Sequence, residues 1–309
     1  MVKIENLVKR YGELIALDHL NLEIHEGEIF GLLGPNGSGK TTAINCLLAL
    51  LKYDKGQISI FGKQMKPDSY DIKRDIGVVM QNVAVFEQMS VYENIDYFCG
   101  LYITDKKKRK VLVEEAIAFV GLEDYKKFRP KKLSGGLLRR LNIACGIAHK
   151  PKLIFMDEPT VAVDPQSRNH ILEGIQKLNK NGATIIYTSH YMEEVEQICT
   201  RIAIVDAGKN LAIGTKEELK ALIKTNEIIT IESLILDRKQ QEDIGQLPNV
   251  FEVKYIGETL QVNLKSGKHN LIQLLNYLQE NNIIFGHVSS TLPTLNDVFL
   301  EITGKKLRD

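Results

Sequence analysis

The sequence has no tryptophan, few cysteines and no long apolar run. Its four cysteines are Cys46, Cys99, Cys145 and Cys199. They lack the C-x-x-C spacing of a zinc or redox site, so we expect buried, reduced thiols in a cytosolic protein and no metal held by cysteine. A membrane-spanning helix needs roughly 20 apolar residues, and the first residues lack the apolar core of a signal peptide. We therefore expect any membrane role to come through a partner.

Neither sign of charge is in excess, because 40 Lys and Arg residues stand against 39 Asp and Glu residues, a formal net charge of +1. Proteins that bind nucleic acids usually carry a basic surface field, so we expect no nucleic-acid partner. Hydrophobic residues at 44% and charged residues at 26% are ordinary for a globular chain. The 309 residues are enough for one large domain and a smaller one.

The most informative stretch is a glycine-rich loop that fills every fixed position of the spacing G-x-x-x-x-G-K-T. It follows a strand-like run at 28–33 and precedes a helix-like segment at 43–50. In such a loop the backbone N–H groups surround a phosphate chain, Lys40 reaches the outer phosphates and Thr41 can bind Mg²⁺. A chance glycine-rich turn is the alternative. The predicted phosphate-binding residues are Gly34, Pro35, Asn36, Gly37, Ser38, Gly39, Lys40, Thr41 and Thr42.

Three further strand-like runs end in polar side chains, namely Gln81, the pair Asp157 and Glu158, and His190. Runs that are apolar throughout predict parallel strands covered on both faces, and α/β sheets bind ligands at the carboxyl ends of such strands. Asp157 offers an oxygen ligand for Mg²⁺. Glu158 could hold or deprotonate a water molecule, which makes it the candidate catalytic acid–base group.

Three other candidates each have two interpretations. The Gln81 amide could contact both a metal ion and an attacking water, or it could be a solvated strand end. His190 could bridge a terminal phosphate to a carboxylate, and a purely structural histidine is the alternative. Tyr11, on a turn before the loop, could offer an aromatic face to a nucleotide base or could be an ordinary turn tyrosine.

Residues 88–150 lose the strand pattern and predict a helical insertion into an α/β core. The predicted helices are 91–102, 110–120 and 137–148. Ser134, Gly135 and Gly136 precede the last of them, and a serine with two glycines at a helix N-terminus forms a second end suited to an anion. The basic run 106–110 either meets anionic lipid headgroups or is a solvated helix start.

After residue 225 the pattern restarts as β-α-β-β-α-β, a ferredoxin-like arrangement. The predicted strands are 228–235, 250–256, 259–264 and 283–289, and the predicted helices are 238–246 and 270–279. A capping box at Thr294 and Asp297 then opens a final helix that ends at Gly304. The sequence thus predicts a small accessory α+β domain.

Taken in order, these motifs over residues 2–220 resemble the ATP-binding subunit of ABC transporters. By this resemblance the loop 34–42 is the Walker A loop, Gln81 the Q-loop glutamine, 133–136 the signature, Asp157 and Glu158 the Walker B pair, Asp164 the D-loop acid and His190 the switch histidine. Tyr11 falls where the family's adenine-stacking aromatic lies. Two positions depart from the family pattern, because Leu137 replaces the signature glutamine and Ala162 replaces a D-loop glycine.

The resemblance implies an α/β P-loop ATPase core, residues 1–224, with antiparallel β and helical subdomains, followed by the accessory domain 225–309. It implies ATP and Mg²⁺ as cofactors, with Thr41, Gln81 and Asp157 at the metal. Two cassettes, identical or different, would pair head to tail so that one subunit's Walker A loop and the other's signature enclose each ATP. The motor would act on an integral-membrane permease at the cytoplasmic face of the cell membrane.

The segment 293–304 resembles the tail of cassettes that serve ABC-2-type exporters of drugs, sodium, lipids or polysaccharides. It therefore favours an exporter. A soluble ABC protein acting on ribosomes or DNA is a second hypothesis, although such proteins usually resemble two fused cassettes or carry long coiled coils. A regulatory subunit without turnover is a third, and the presence of Lys40, Asp157, Glu158 and His190 argues against it.

Overall fold

The computed structural model describes residues 1–232, 235–265 and 267–303 of the chain. The chain forms two compact units, and the division falls between Thr215 and Lys216. The helix that begins at Lys216 therefore belongs to the second unit, whereas the sequence places the boundary after residue 224. Within the described ranges every helix is too short or too polar to cross a membrane.

The first unit contains two sheets. Its strands are β1 (Val2–Tyr11), β2 (Leu14–Ile24), β3 (Ile29–Leu33), β4 (Lys55–Ile60), β5 (Lys63–Gln64), β6 (Ile76–Val79), β7 (Leu153–Asp157), β8 (Thr184–Ser189), β9 (Arg201–Asp206) and β10 (Lys209–Gly214). One sheet has the order β2-β1-β4-β5 and is antiparallel. The other has the order β10-β9-β3-β8-β7-β6 and is parallel except for β10.

The apolar runs become central strands because both of their faces are covered. Every residue of β3, β7 and β8 is buried, as expected for a parallel sheet packed on both sides. One hydrophobic core joins the two sheets, with Ile4 and Leu20 from the antiparallel sheet packed together with Phe30 and Phe155 from the parallel sheet. The carboxyl ends of β3, β6, β7 and β8 therefore meet at one edge, where the predicted polar residues follow them.

Helices surround the parallel sheet and form the predicted insertion. They are α1 (Lys40–Leu47), α2 (Tyr70–Lys73), α3 (Val91–Gly100), α4 (Lys106–Val120), α5 (Gly135–Ile147), α6 (Pro165–Lys180) and α7 (Met192–Ile198), with short 3₁₀ turns at Glu123–Tyr125 and Pro130–Lys132. Helix α4 begins earlier than predicted because the Asp105 side chain accepts the N–H groups of Lys107 and Lys108. The basic run 106–110 therefore lies in the first turns of α4.

The second unit has the predicted β-α-β-β-α-β order. Its elements are α8 (Lys216–Lys220), β11 (Glu227–Ile231), α9 (Arg238–Gly245), β12 (Val250–Ile256), β13 (Thr259–Leu264), α10 (Asn270–Glu280), β14 (Val288–Thr291) and α11 (Leu295–Thr303). The antiparallel sheet order is β12-β13-β11-β14, which is the ferredoxin-like order. Strand β14 starts later than predicted. Residues 233 and 234 of the predicted strand 228–235, and the predicted helix end Gly304, lie outside the described residues.

Candidate active site

The glycine-rich loop turns sharply between β3 and α1, and the glycines are required by geometry. Gly37 and Gly39 have φ angles of 81° and 104°, which L side chains rarely adopt. A Cβ atom on Gly34 would lie 2.1 Å from the Val205 carbonyl oxygen. The Ser38 Oγ atom is buried and has no hydrogen-bond partner among the described residues. A buried hydroxyl of this kind fits a loop that binds an anion such as phosphate.

Lys40 places a cation inside this loop. Its Nζ atom donates to the carbonyl oxygens of Gly34 at 2.7 Å and Pro35 at 3.1 Å, and it lies 3.8 Å from Glu158 Oε1. Burial lowers the pKa of Lys40, and the neighbouring Glu158 and Asp157 charges oppose this shift. The ammonium group is thus held by the loop backbone on one side and by carboxylates on the other.

Thr41 and Asp157 bring two oxygen atoms together at the carboxyl end of β7. Thr41 Oγ1 donates to Asp157 Oδ2 at 2.9 Å. Adjacent ligands of an octahedral Mg²⁺ ion, each about 2.1 Å from the metal, are about 3.0 Å apart, close to this separation. The part of the chain that the structure describes has no cluster of three or more His, Cys, Asp or Glu residues suited to a metal. Two adjacent oxygen atoms suit an ion such as Mg²⁺, which is bound through few protein ligands and keeps water and phosphate ligands as well.

Glu158 is the centre of the site, and neighbouring side chains reach both of its carboxylate oxygens. Gln81 Nε2 donates to Oε2 at 2.9 Å, and His190 Nδ1 lies 3.3 Å from Oε1. Glu158 is only 7% exposed, and its φ angle of 47° is left-handed. Such a backbone conformation costs about 1–2 kcal/mol for a non-glycine residue, and strain of this kind is common at functional sites.

Most of these groups line one cleft of about 960 Å³, whereas Gly34, Pro35 and Asp157 are not part of its lining. Predicted residues that line it are Tyr11, Asn36, Gly37, Ser38, Gly39, Lys40, Thr41, Thr42, Gln81, Glu158 and His190. Tyr11 ends β1 at the rim of the cleft with 49% of its surface exposed, and Lys9 Nζ lies 5.0 Å from its ring centre. Its position is compatible with an aromatic face for a base, and this role stays a prediction.

A second group of predicted nucleotide ligands lies outside the lining of this cleft, namely Ser134, Gly135, Gly136 and Asp164. Ser134 caps α5 by accepting the N–H of Leu137, and Asp164 caps α6 by accepting the N–H of Ser167. That backbone hydrogen bond lowers the pKa of Asp164. A Cβ atom on Gly136 would lie 2.4 Å from Ser167 Oγ, so the ends of the two helices are neighbours. Gly135 lies between Ser134 and Gly136 in the first turn of α5.

One functional residue was missed by the sequence analysis. Thr188 Oγ1 donates to Asp157 Oδ1 at 2.6 Å and accepts the Glu158 N–H at 2.9 Å. Its hydroxyl thereby fixes both members of the acidic pair. Thr188 stands opposite Asp157 in the register of β7 and β8. The available signal was a hydroxyl residue near the carboxyl end of a strand that the sequence predicts beside the acidic pair.

Comparisons with known proteins agree with this geometry. The profile of the family described as ABC transporter matches residues 17–161, and that of the ATP-binding protein DrrA1-3-like C-terminal domain matches residues 214–303. The chain is 37% identical over 311 residues to the linearmycin resistance ATP-binding protein LnrL of Bacillus subtilis (strain 168), and the match covers 100% of both chains. It is 31% identical to the Nod factor export ATP-binding protein I of Cupriavidus metallidurans, covering 100% of this chain and 99% of that protein.

A comparison of the fold with solved structures points to the same family. A dimeric structure of the ATP-binding cassette MJ0796 bound to ADP and Pi matches with a TM-score of 0.64 and 28% identity, covering 70% of this chain and 98% of that chain. The resemblance deduced from the order of the motifs is thus confirmed, as is the predicted α/β ATPase fold. The chain belongs to the ABC transporter family, as an ATP-hydrolysing, ATP-binding subunit.

Proposed function

We propose that this subunit drives export through a separate integral-membrane permease and works at the cytoplasmic face of the membrane. The support is that relatives matching the whole chain include a linearmycin resistance protein and a Nod factor export protein. The second unit also matches a DrrA-like C-terminal domain. Together with the tail at 293–304, these likenesses favour an ABC-2-type exporter of a drug-like or lipid-like molecule.

The first unit holds the nucleotide through residues with separate tasks. The loop N–H groups, the Ser38 hydroxyl and Lys40 bind the phosphate oxygens, and Tyr11 supports the base. Thr41, Asp157 and Gln81 are the residues that would hold Mg²⁺. The ion supplies charge neutralisation at the phosphate oxygens when it is bound. These residues suit Mg²⁺ because the Thr41 and Asp157 oxygen atoms are already close together. Neither side chain needs to move far for both to face one cation.

Glu158 positions and deprotonates the attacking water. The observation that carries this role is the convergence of Lys40, Gln81 and His190 on one buried carboxylate, at 3.8, 2.9 and 3.3 Å. Gln81 and His190 fix the direction in which that carboxylate points, and Lys40 stabilises negative charge beside it. Phosphoryl transfer depends mainly on such positioning and charge stabilisation.

The second group, Ser134, Gly135, Gly136 and Asp164, serves the nucleotide of a partner cassette. This group is separate from the cleft of its own chain. The nucleotide that it contacts is therefore one bound to a second copy or to a related cassette. The α5 N-terminus presents a serine hydroxyl and the backbone N–H groups of its first turn, which suit a terminal phosphate. ATP would then hold two cassettes together, and hydrolysis would release them.

The permease docks on the helical insertion beside the segment that follows Gln81. Phe86 and Tyr97 are 40% and 43% exposed there, and their ring centroids are 4.9 Å apart. Exposed aromatic pairs are enriched at protein interfaces. This surface is also connected through the chain to Gln81 and hence to Glu158.

Glu158→Gln tests the proposed catalytic role. The amide keeps the size of the side chain but cannot take a proton, so we expect ATP turnover to fall by about 100-fold or more. ATP binding should persist, and an ATP-dependent dimer should accumulate on size-exclusion chromatography. Glu193→Gln, an exposed position on α7, is the matched control and should hydrolyse ATP normally.

The partner is tested by affinity purification of the tagged Glu158→Gln chain, with ATP, from gently solubilised membranes of the source cell. We expect a multispanning permease in stoichiometric amount by mass spectrometry. Recovery of ribosomal or DNA-associated proteins alone would contradict the transport function. Near-normal hydrolysis by Glu158→Gln would contradict the catalytic assignment.

A further inference from the structure

A buried carboxylate outside the proposed site connects two segments that belong to it. Glu194 lies on α7 and is only 3% exposed. Its Oε2 atom accepts hydrogen bonds from Tyr187 at 2.6 Å, Thr160 at 2.8 Å and Ser189 at 3.1 Å. Its Oε1 atom lies 3.3 Å from Arg168 Nε. One side chain thereby gathers groups from β8, from the segment after Glu158 and from α6.

The hydroxyl partners are themselves fully enclosed. Thr160 and Tyr187 are 0% exposed and Ser189 is 2% exposed. Burial and the Glu194 charge raise the pKa of Tyr187 well above its ordinary value, so its phenol stays protonated and donates. Three donors on one oxygen require an acceptor atom that bears no proton itself, and the lone pairs of the Glu194 Oε2 atom meet that requirement.

Two of these partners, Ser189 and Arg168, hold the residues on either side of His190. Ser189 precedes it, and the Ser189 hydroxyl also accepts the backbone N–H of Tyr191 at 2.9 Å. The Tyr191 ring lies 4.9 Å from the Arg168 guanidinium carbon, and Arg168 is the cation that pairs with Glu194. The backbone on either side of the switch histidine is therefore held by groups that Glu194 fixes.

The Glu194 carboxylate also bonds to the segment that carries Glu158, the partner of His190. Thr160 follows Glu158 by two residues, and its hydroxyl is bound to the oxygen that holds Ser189. The separation between His190 Nδ1 and Glu158 Oε1, 3.3 Å, thus depends on two segments that meet at Glu194. Burying a charge is a costly way to stabilise a fold, whereas a shared acceptor sets the relative position of two segments directly.

We infer that Glu194 is a positioning residue for ATP hydrolysis, which sets His190 against Glu158 through Ser189 and Thr160. The inference rests on the proposed catalytic role of Glu158 and His190. Among the described residues, the hydrogen bonds and ion pair of Glu194 all go to groups outside the phosphate loop, so it should affect turnover and leave nucleotide binding intact.

The test is steady-state ATP hydrolysis by the full chain carrying Glu194→Gln. The amide keeps the shape but turns an N–H group toward Arg168 or toward the hydroxyl donors. Small displacements of catalytic groups can cost about 100-fold in rate, so we expect kcat to fall about 10- to 100-fold with KM for ATP within about threefold. Glu193→Gln on the same helix should match the wild type.

A double-mutant cycle separates positioning from a general structural defect. In the His190→Ala background, Glu194→Gln should lower kcat by less than about threefold, because the group that it positions is gone. An equal fold-loss in both backgrounds, or an unchanged kcat in Glu194→Gln, would overturn the inference. Absence of hydrolysis in the wild type and in Glu193→Gln would instead contradict the proposed function.

Milder variants keep the test decisive if Glu194→Gln does not fold. Thr160→Val and Ser189→Ala each remove one donor and should lower kcat with little change in KM. Thr160→Ser retains the hydroxyl and should restore turnover relative to Thr160→Val. Equal activity of the valine and serine variants would overturn the role assigned to this contact.

Discussion

At the scale of single residues, Ala162 holds a backbone conformation that suits glycine. Its φ angle is 58° and it is exposed, so relief of strain should outweigh any lost packing. The left-handed conformation costs an L residue about 1–2 kcal/mol, and the greater freedom of glycine in the unfolded chain offsets roughly 0.5–1 kcal/mol of that. We expect Ala162→Gly to raise the free energy of unfolding by up to about 1 kcal/mol, measured by calorimetry.

The control for Ala162 is Ala118→Gly, at an exposed position within α4. There the backbone is helical, and glycine should lower stability by about 1 kcal/mol. A comparable loss in Ala162→Gly would show that the left-handed conformation carries no strain. The comparison also measures how much stability the chain loses by having Ala162 where the family pattern has a glycine.

Residues of the site differ in how far the sequence alone can predict them. Gly34 and Gly39 are recognisable because close backbone approach forces glycine at fixed spacing. Thr188 and Glu194 are not, because their partners come from distant segments. Glu193 and Glu194 are adjacent, and two acidic residues at that position are typical of a solvated helix start. Only the packing of α7 shows that Glu194 is buried.

At the scale of elements, His149 joins the end of α5 to β6 and to the segment that follows α3. Its Nε2 atom is 3.1 Å from the Ile76 carbonyl oxygen, and its ring stacks on Tyr102 with centroids 3.8 Å apart. Burial lowers the pKa of His149, while the Ile76 carbonyl and the Asp75 charge oppose this shift. The folded protein therefore binds a proton at this site less readily than the unfolded chain does.

The sign of the resulting pH dependence follows from this lowered pKa. The stabilising contribution is fully present above the unfolded pKa of about 6.5 and is lost as the pH falls through the folded value. Between pH 7.5 and 5 we expect the thermal midpoint of the wild type to fall more steeply than that of His149→Phe, which keeps an aromatic ring for the stack. Parallel slopes in the two proteins would contradict the protonation argument.

Element types were predictable where the pattern is local, and boundaries were less so. The strand before the phosphate loop and the β-α-β-β-α-β order follow from apolar runs and turns in the sequence. The start of α4 depends on a cap at Asp105 that the basic run obscured. The start of β14 depends on its pairing with β11, where Ile231 stands opposite Val288, and such pairing cannot be read from one segment.

At the scale of the whole molecule, the two units have separate cores. Leu278 on α10 is 0% exposed, whereas Ile272 on the same helix is 52% exposed. We expect Leu278→Ala to cost the second unit about 2–5 kcal/mol, and Ile272→Ala to change stability by about 0.5 kcal/mol at most. Calorimetry of the two variants measures the difference.

ATP affinity should be the same in both of these variants, because the phosphate loop and all of its described partners belong to the first unit. Equilibrium titration with a fluorescent nucleotide checks this expectation. A large loss of affinity in Leu278→Ala alone would mean that the second unit takes part in nucleotide binding.

The described lining of the cleft includes residues of α1 and none of α5, and the proposed function gives these two helix ends to different nucleotides. On that proposal another chain completes each site, so the activity per molecule of the free subunit should rise with its concentration, as for any reaction that needs an encounter between two copies. A permease that holds two subunits side by side would replace this encounter with a high effective concentration. ATP turnover of the assembled transporter would then become insensitive to dilution. Free subunits at low concentration would hydrolyse little ATP until they bound the permease.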